Sequence, residues 1–197
     1  IPGWIMQGYG TMALEAAEQL KAQGAERPTH VFVQAGVGSL AGAVIGFYAN
    51  LWSDNPPTFV VVEAKAADCL YEGALAGDGK IRTVGGDMET IMAGLACGEP
   101  NTISWDILKN HVKLFVAISD DVAADGMRML AAPIKGDPPI TSGESGAASF
   151  AALMALMTDD ACEEPRALLG LDRDSRVLVF STEGDTDPER YREIVWE

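Results

Sequence analysis

Apolar, β-branched residues gather in four short runs along this chain, and longer stretches with helical spacing lie between them. From Thr11 to Gln23, the residues Met12, Ala13, Ala16, Ala17 and Leu20 fall on one face of a helix. Thr11 offers a side-chain N-cap, and Gly24 and Pro28 end the segment. The run at 30–34, with Val31 to Val33 at its centre, reads as a strand, and 39–50 reads as a helix. After the loop Asp54-Asn55-Pro56-Pro57, Thr58–Glu63 is a second strand and Ala64–Leu75 a helix. Glycine and charge at 76–89 predict a long excursion. Thr90–Cys97 reads as a short buried helix closed by Gly98-Glu99-Pro100, and Trp105–His111 as a helix. Leu114–Ile118 is the third strand, and Asp120 or Asp121 caps a helix running to about Leu130. A Pro/Gly loop at 133–144 precedes an Ala-rich helix, Ser145–Thr158. A charged linker at 159–165 leads to a short helix, and Val177–Phe180 is the fourth strand. Strands alternating with helices predict an α/β fold: an open, mostly parallel twisted sheet flanked by helices.

Composition narrows the function classes. With 197 residues and 48% hydrophobic content, the chain can bury a core of one domain or slightly more. No apolar run approaches the length of a membrane span. A net charge of −15 repels nucleic acid and anionic lipid, so neither is an expected partner. Any bound phosphate must then be held by local backbone dipoles against the global field. The three cysteines contain no CxxC pair and only two histidines could join them, which argues against zinc. Cys69 and Cys97 are the pair closest in sequence for a disulfide; reduced thiols in a cytoplasmic protein are the other reading.

In open parallel sheets, ligands sit beyond the carboxyl ends of the strands. Two polar loops occupy such places, Gly36–Ser39 and Ser181–Asp185. The turn Gly36-Val37-Gly38-Ser39-Leu40 joins a strand to a helix start. There, bare backbone N–H groups and the positive helix end together suit a phosphate. A turn packed only for structure fits the same residues. So does a dinucleotide fingerprint, Gly36-x-Gly38-x-x-Ala41, with Glu63 at the end of the next strand as ribose partner. Ser181 and Thr182 could offer a hydroxyl to a neutral ring nitrogen or satisfy their own loop backbone. Glu144 at a helix start suits either a ligand contact or the helix dipole alone. Gly85-Gly86-Asp87 reads as an exposed turn or a substrate-side loop, and Asp68, Glu72 and Asp78 as solvated surface. From these residues alone, a phosphate-cofactor enzyme, an NAD(P)-binding oxidoreductase domain and a non-catalytic cofactor-binding or interaction fragment remain open.

Three segments together carry a family resemblance: Gly8-Tyr9-Gly10-Thr11-Met12-Ala13-Leu14-Glu15, Gln34-Ala35-Gly36-Val37-Gly38-Ser39-Leu40, and Ser181-Thr182-Glu183-Gly184-Asp185. They resemble the fold-type II pyridoxal phosphate enzymes, among them threonine dehydratases, serine racemases and tryptophan synthase β. Gly85–Met88, Met92–Pro100, Ser142–Gly146, Ser181–Asp187 and Tyr191–Glu197 are similar to the diaminopropionate ammonia-lyase branch of that group. The resemblance covers nearly the whole chain.

The resemblance implies pyridoxal 5'-phosphate as cofactor. Its phosphate would be held by Gly36, Val37, Gly38, Ser39 and Leu40, and its pyridine nitrogen faced by Thr182, with Ser181 as the neighbouring choice. Glu144 would lie near the cofactor or the substrate mouth. The implied reaction is α,β-elimination of a small amino acid, 2,3-diaminopropionate, to pyruvate and ammonia, in a cytoplasmic homodimer. None of Lys21, Lys65, Lys80, Lys109, Lys113 and Lys135 sits in a motif like that of the family's Schiff-base lysine. The expectation is therefore that 1–197 is the C-terminal part of an incomplete large domain, without catalytic residues of its own and inactive alone.

Overall fold

A computed structural model describes residues 2–25 and 27–197. Helix α1 (Pro2–Ala22) leads into β1 (His30–Gln34), α2 (Ser39–Leu51) and β2 (Thr58–Ala64). A single 3-10 turn, Lys65–Ala67, precedes α3 (Cys69–Ala76). The glycine-rich excursion carries only the 3-10 turn Ala93–Leu95 before α4 (Thr102–His111) and β3 (Val112–Ile118). Helices α5 (Asp120–Ala131), α6 (Glu144–Thr158) and α7 (Glu163–Leu169) lead to β4 (Val177–Val179), and α8 (Pro188–Trp196) follows.

The four strands form one sheet in the order β3-β2-β1-β4, with every pairing parallel. Strand β1 is central and buried at all five positions. Side-chain alternation splits the core in two. Val31, Val33, Phe59 and Val61 point to the layer formed by α1 to α4, against Ile45, Tyr48, Leu70 and Leu108. Phe32, Val60 and Val62 point to the opposite layer, against Ala148, Ala151 and Leu156 of α6. Helix α8 closes that side, with Ile194 and Val195 on Ala124, Met127 and Ala147.

The open parallel α/β sheet matches the expectation, and the differences have local causes. Helix α1 begins nine residues before Thr11, so Thr11 is an interior residue and not a cap. Gly3, Gly8 and Gly10 dilute its helical signal, yet buried Met6 and Ala13 anchor it, and Tyr48 Oη donates to the Ala13 carbonyl at 3.0 Å. The helix expected from Ala64 starts only at Cys69, because Ala64 still pairs in the sheet and Glu63 caps the later start. Thr90–Cys97 is irregular apart from its 3-10 turn. Helix α8 has Asp187 as its N-cap, accepting from Arg190 N at 3.1 Å, with Pro188 in the first turn.

Candidate functional site

The carboxyl ends of β1 and β4, neighbours in the sheet, open onto one cleft of about 1000 Å³. Its walls include both polar loops, so Gly36–Leu40, Ser181 and Thr182 come together in one place. Helix α1 adds a third wall through Tyr9, Glu15 and Gln19.

The β1–α2 turn cannot be built from ordinary residues. Gly38 sits at φ +89°, and a Cβ there would come within 3.0 Å of Ser104 Oγ and 3.1 Å of Leu108 Cδ1. As N-cap of α2 it has no side chain to cover the first amides of the helix, which stay available to an anion. Asn101 braces the turn from outside. Its backbone N–H donates to the Val37 carbonyl at 2.8 Å, and its Nδ2 donates to Ser39 Oγ at 2.8 Å. Asn101 Oδ1 accepts from Ile103 N and so caps α4. One lone pair of Ser39 Oγ is thus engaged by Asn101, and its own O–H is left to donate.

On the opposite wall, the hydroxyls of Ser181 and Thr182 differ. Ser181 Oγ donates to the buried Ser142 Oγ at 2.8 Å. Thr182 Oγ1 instead accepts from Gln34 Nε2 at 2.8 Å. Glu183 closes the loop by accepting from Ser145 N at 2.7 Å and Gly146 N at 3.3 Å, which caps α6. The loop lies so close to the helix start that a Cβ on Gly143 would approach the Gly184 carbonyl to 2.5 Å. The glycines of Ser142-Gly143-Glu144-Ser145-Gly146 are there to admit this loop. Glu144, the first residue of α6, is half-buried and does not line the cleft; Glu183 does.

Glu63 is committed elsewhere. It is fully buried, its Oε1 accepts from Leu70 N at 2.9 Å, and its Oε2 accepts from Tyr71 N at 2.7 Å, capping α3. Burial pushes its pKa up to about 8 despite those two amides. The ribose role considered for Glu63 in a dinucleotide site is therefore closed to it. Cys69 beside it is a buried free thiol, pushed up to about 12 by burial and by Glu63, and donates to the Cys97 carbonyl at 3.5 Å. Cys97 is also a free thiol, so the expected alternative of reduced cysteines describes this structure.

These residues fit a phosphorylated heteroaromatic ring. The uncapped helix start and the Ser39 O–H suit the phosphate, and the Thr182 hydroxyl suits a ring nitrogen that accepts. Among the described residues, no lysine lines the cleft. Gln34 and Glu183 stand within the motifs that carry the resemblance but gain no role of their own from them, and spacing and motifs do not single out Asn101 at all. Gln34 carried a readable signal, a polar residue ending a wholly apolar strand run.

Comparison with known proteins agrees with this chemistry. The family described as "Pyridoxal-phosphate dependent enzyme" matches residues 3–171. Diaminopropionate ammonia-lyase of Salmonella typhimurium (strain LT2) is 50% identical over 197 residues, which is 100% of this chain and 49% of that protein. The enzyme of the same description from Escherichia coli (strain K12) matches in the same proportions. The crystal structure of the Escherichia coli lyase in complex with an aminoacrylate-PLP azomethine reaction intermediate superposes with a TM-score of 0.90 at 47% identity, covering 99% of this chain and 49% of that one. The chain spans about half the length of the curated relatives it matches.

Proposed function

The chain belongs to the pyridoxal-phosphate dependent enzymes, and from that premise we propose that it forms the cofactor-holding half of a lyase eliminating ammonia from 2,3-diaminopropionate to leave pyruvate. The observation that carries this reading is the cleft in which the glycine turn before α2 and the Thr182 hydroxyl meet. Its support in sequence is the 50% identity to diaminopropionate ammonia-lyases along the whole chain.

In this reading the amides of Gly36 through Leu40 and the Ser39 hydroxyl bind the cofactor phosphate. Thr182 donates to the ring nitrogen, and Ser181 holds the loop through Ser142. Pyridoxal phosphate, when bound, supplies an electron sink for the negative charge left at the substrate's Cα. The chain's own part is to orient that sink and to hold its nitrogen without a formal charge, since a hydroxyl facing the ring is a poor proton acceptor. Glu183 keeps the Thr182 loop on α6; Glu144, outside the cleft, is left with the dipole role.

Lys21, Lys65, Lys80, Lys109, Lys113 and Lys135 all lie outside the cleft lining. The Schiff-base lysine is accordingly assigned to the half of the relatives that this chain does not span. The three free cysteines suit a reducing, cytoplasmic setting, and the homodimer implied by family resemblance belongs to the same reading.

The test is an assay of the native polypeptide with pyridoxal phosphate and 2,3-diaminopropionate. Release of pyruvate, together with the visible absorbance of lysine-bound cofactor, is expected. A native polypeptide that takes up a dinucleotide and no pyridoxal phosphate would refute the proposal.

A further inference from the structure

Gln34 ends the central strand, is 1% exposed, and has both side-chain polar atoms engaged. Its Nε2 lies 2.8 Å from the Phe180 carbonyl oxygen. A carbonyl can only accept, so the Gln34 atom facing it is the amide nitrogen. The second N–H of that nitrogen meets Thr182 Oγ1 at 2.8 Å. On the other side, Gln34 Oε1 accepts from Ser149 Oγ at 2.8 Å, and Ser149 is fully buried on α6. The amide is therefore held at both ends and cannot turn over without setting Gln34 Oε1 against the buried Phe180 carbonyl oxygen, two acceptors facing each other.

This polarity passes to Thr182. A hydroxyl has one proton and two lone pairs; Gln34 Nε2 occupies one lone pair here, so the proton has no acceptor on that side and is left for the cleft. We propose that Gln34, locked by Ser149 and the Phe180 carbonyl, is a positioning residue that fixes the Thr182 hydroxyl as a hydrogen-bond donor into the cleft and so keeps the facing ring nitrogen unprotonated. The inference rests on the pyridoxal phosphate reading above and extends it from the residue that touches the ring to the buried pair that sets its direction. Without Gln34, the Thr182 proton is free to turn away from the cleft, so that the oxygen faces the ring as an acceptor, favours a protonated ring nitrogen and changes the cofactor's charge.

Gln34→Glu tests the direction, because it keeps the shape and replaces the donor by an acceptor. Thr182 would then donate to the new carboxylate and offer its lone pair to the ring. The measurement is the 15N resonance of the ring nitrogen in native holoenzyme loaded with ring-labelled pyridoxal phosphate. The expected wild-type signal is that of an unprotonated, hydrogen-bonded nitrogen, and Gln34→Glu moves it to the pyridinium position. Gln34→Met, neutral and of similar length, covers the case in which the buried carboxylate prevents folding. It should weaken cofactor binding about fivefold to tenfold, the equivalent of one lost hydrogen bond, and let the resonance titrate with pH. Ser149→Ala should shift the resonance part of the way. A pyridinium signal in the wild type, or loaded variants with an unmoved resonance, overturns the inference alone. A wild type that takes up no pyridoxal phosphate overturns the functional reading and the inference with it.

Discussion

Asn101 donates its side-chain amide to Ser39 at 2.8 Å across a sequence separation of 62 residues, while its carbonyl oxygen caps α4. One side chain thus ties the turn before α2 to a helix that is not itself in the cleft. Truncation should separate two effects. Asn101→Ala loses an N-cap, which costs about 1 kcal/mol of stability, and it frees the Ser39 hydroxyl to rotate. Pyridoxal phosphate affinity is expected to fall about fivefold, as for one neutral hydrogen bond. Denaturant unfolding and cofactor titration of the same variant check both; an unchanged affinity would detach Asn101 from the site.

Gly38, which precedes α2, and Gly77, which ends α3, form a matched pair. Both have positive φ, +89° and +66°. A Cβ on Gly38 meets Ser104, Leu108 and Leu70 at 3.0 to 3.2 Å, whereas one on Gly77 meets nothing within 4 Å. Gly77→Ala should therefore cost only the left-handed backbone penalty, about 1–2 kcal/mol. Gly38→Ala should add about 1–3 kcal/mol of overpacking and displace the turn amides to which the proposed reading assigns the phosphate. Equal losses for the two variants in urea unfolding would contradict the crowding argument.

The residues that were legible in the sequence are those whose role is local. Val31 to Val33 and Val60 to Val62 announce buried strands by their unbroken apolar runs, and Gly36 to Ser39 announces a strand-to-helix turn by position. Thr182 could be placed because it follows directly on a strand. The roles that stayed hidden depend on partners far along the chain. Gln34 faces Phe180, Thr182 and Ser149, more than a hundred positions away in each case, and no periodicity carries that information. Glu63 reads as a strand-end carboxylate open to ligand, and only the return of α3 across its end turns it into a cap. The start of α1 was hidden for an energetic reason: its glycines disfavour helix locally, and packing on α2 overrides them.

Glu63 gives the fold a pH dependence of definite sign. Burial raises its pKa from 4.5 to about 8 in the folded protein. The folded state therefore holds this proton more tightly than the unfolded state does. The resulting stabilisation is fully present below about 4.5 and is lost as the pH rises through about 8. Glu63→Gln should remove that slope. It should also be less stable than wild type at acidic pH, because an amide cannot accept from both Leu70 N and Tyr71 N. Urea midpoints for both proteins across this range decide the matter: an identical slope would assign the titration to another group.

Glu183 joins the Thr182 loop to α6 through Ser145 N and Gly146 N, so it should matter to the ligand more than its own chemistry suggests. Glu183→Ala removes a charged N-cap, a loss of about 1–2 kcal/mol. It also releases the loop that carries Thr182, and cofactor affinity is expected to fall along with stability. Glu183→Gln keeps a single oxygen in place of Oε2, the atom that accepts from both amides, at 2.7 and 3.3 Å, and should recover most of the affinity while losing the charge. Glu144→Ala is the control, since Glu144 begins the same helix outside the cleft. It should lower stability by about 0.3–1 kcal/mol through the helix dipole and leave the cofactor titration unchanged. If Glu144→Ala weakened the cofactor as much as Glu183→Ala, the helix start as a whole, and not the Glu183 tether, would be setting the position of Thr182.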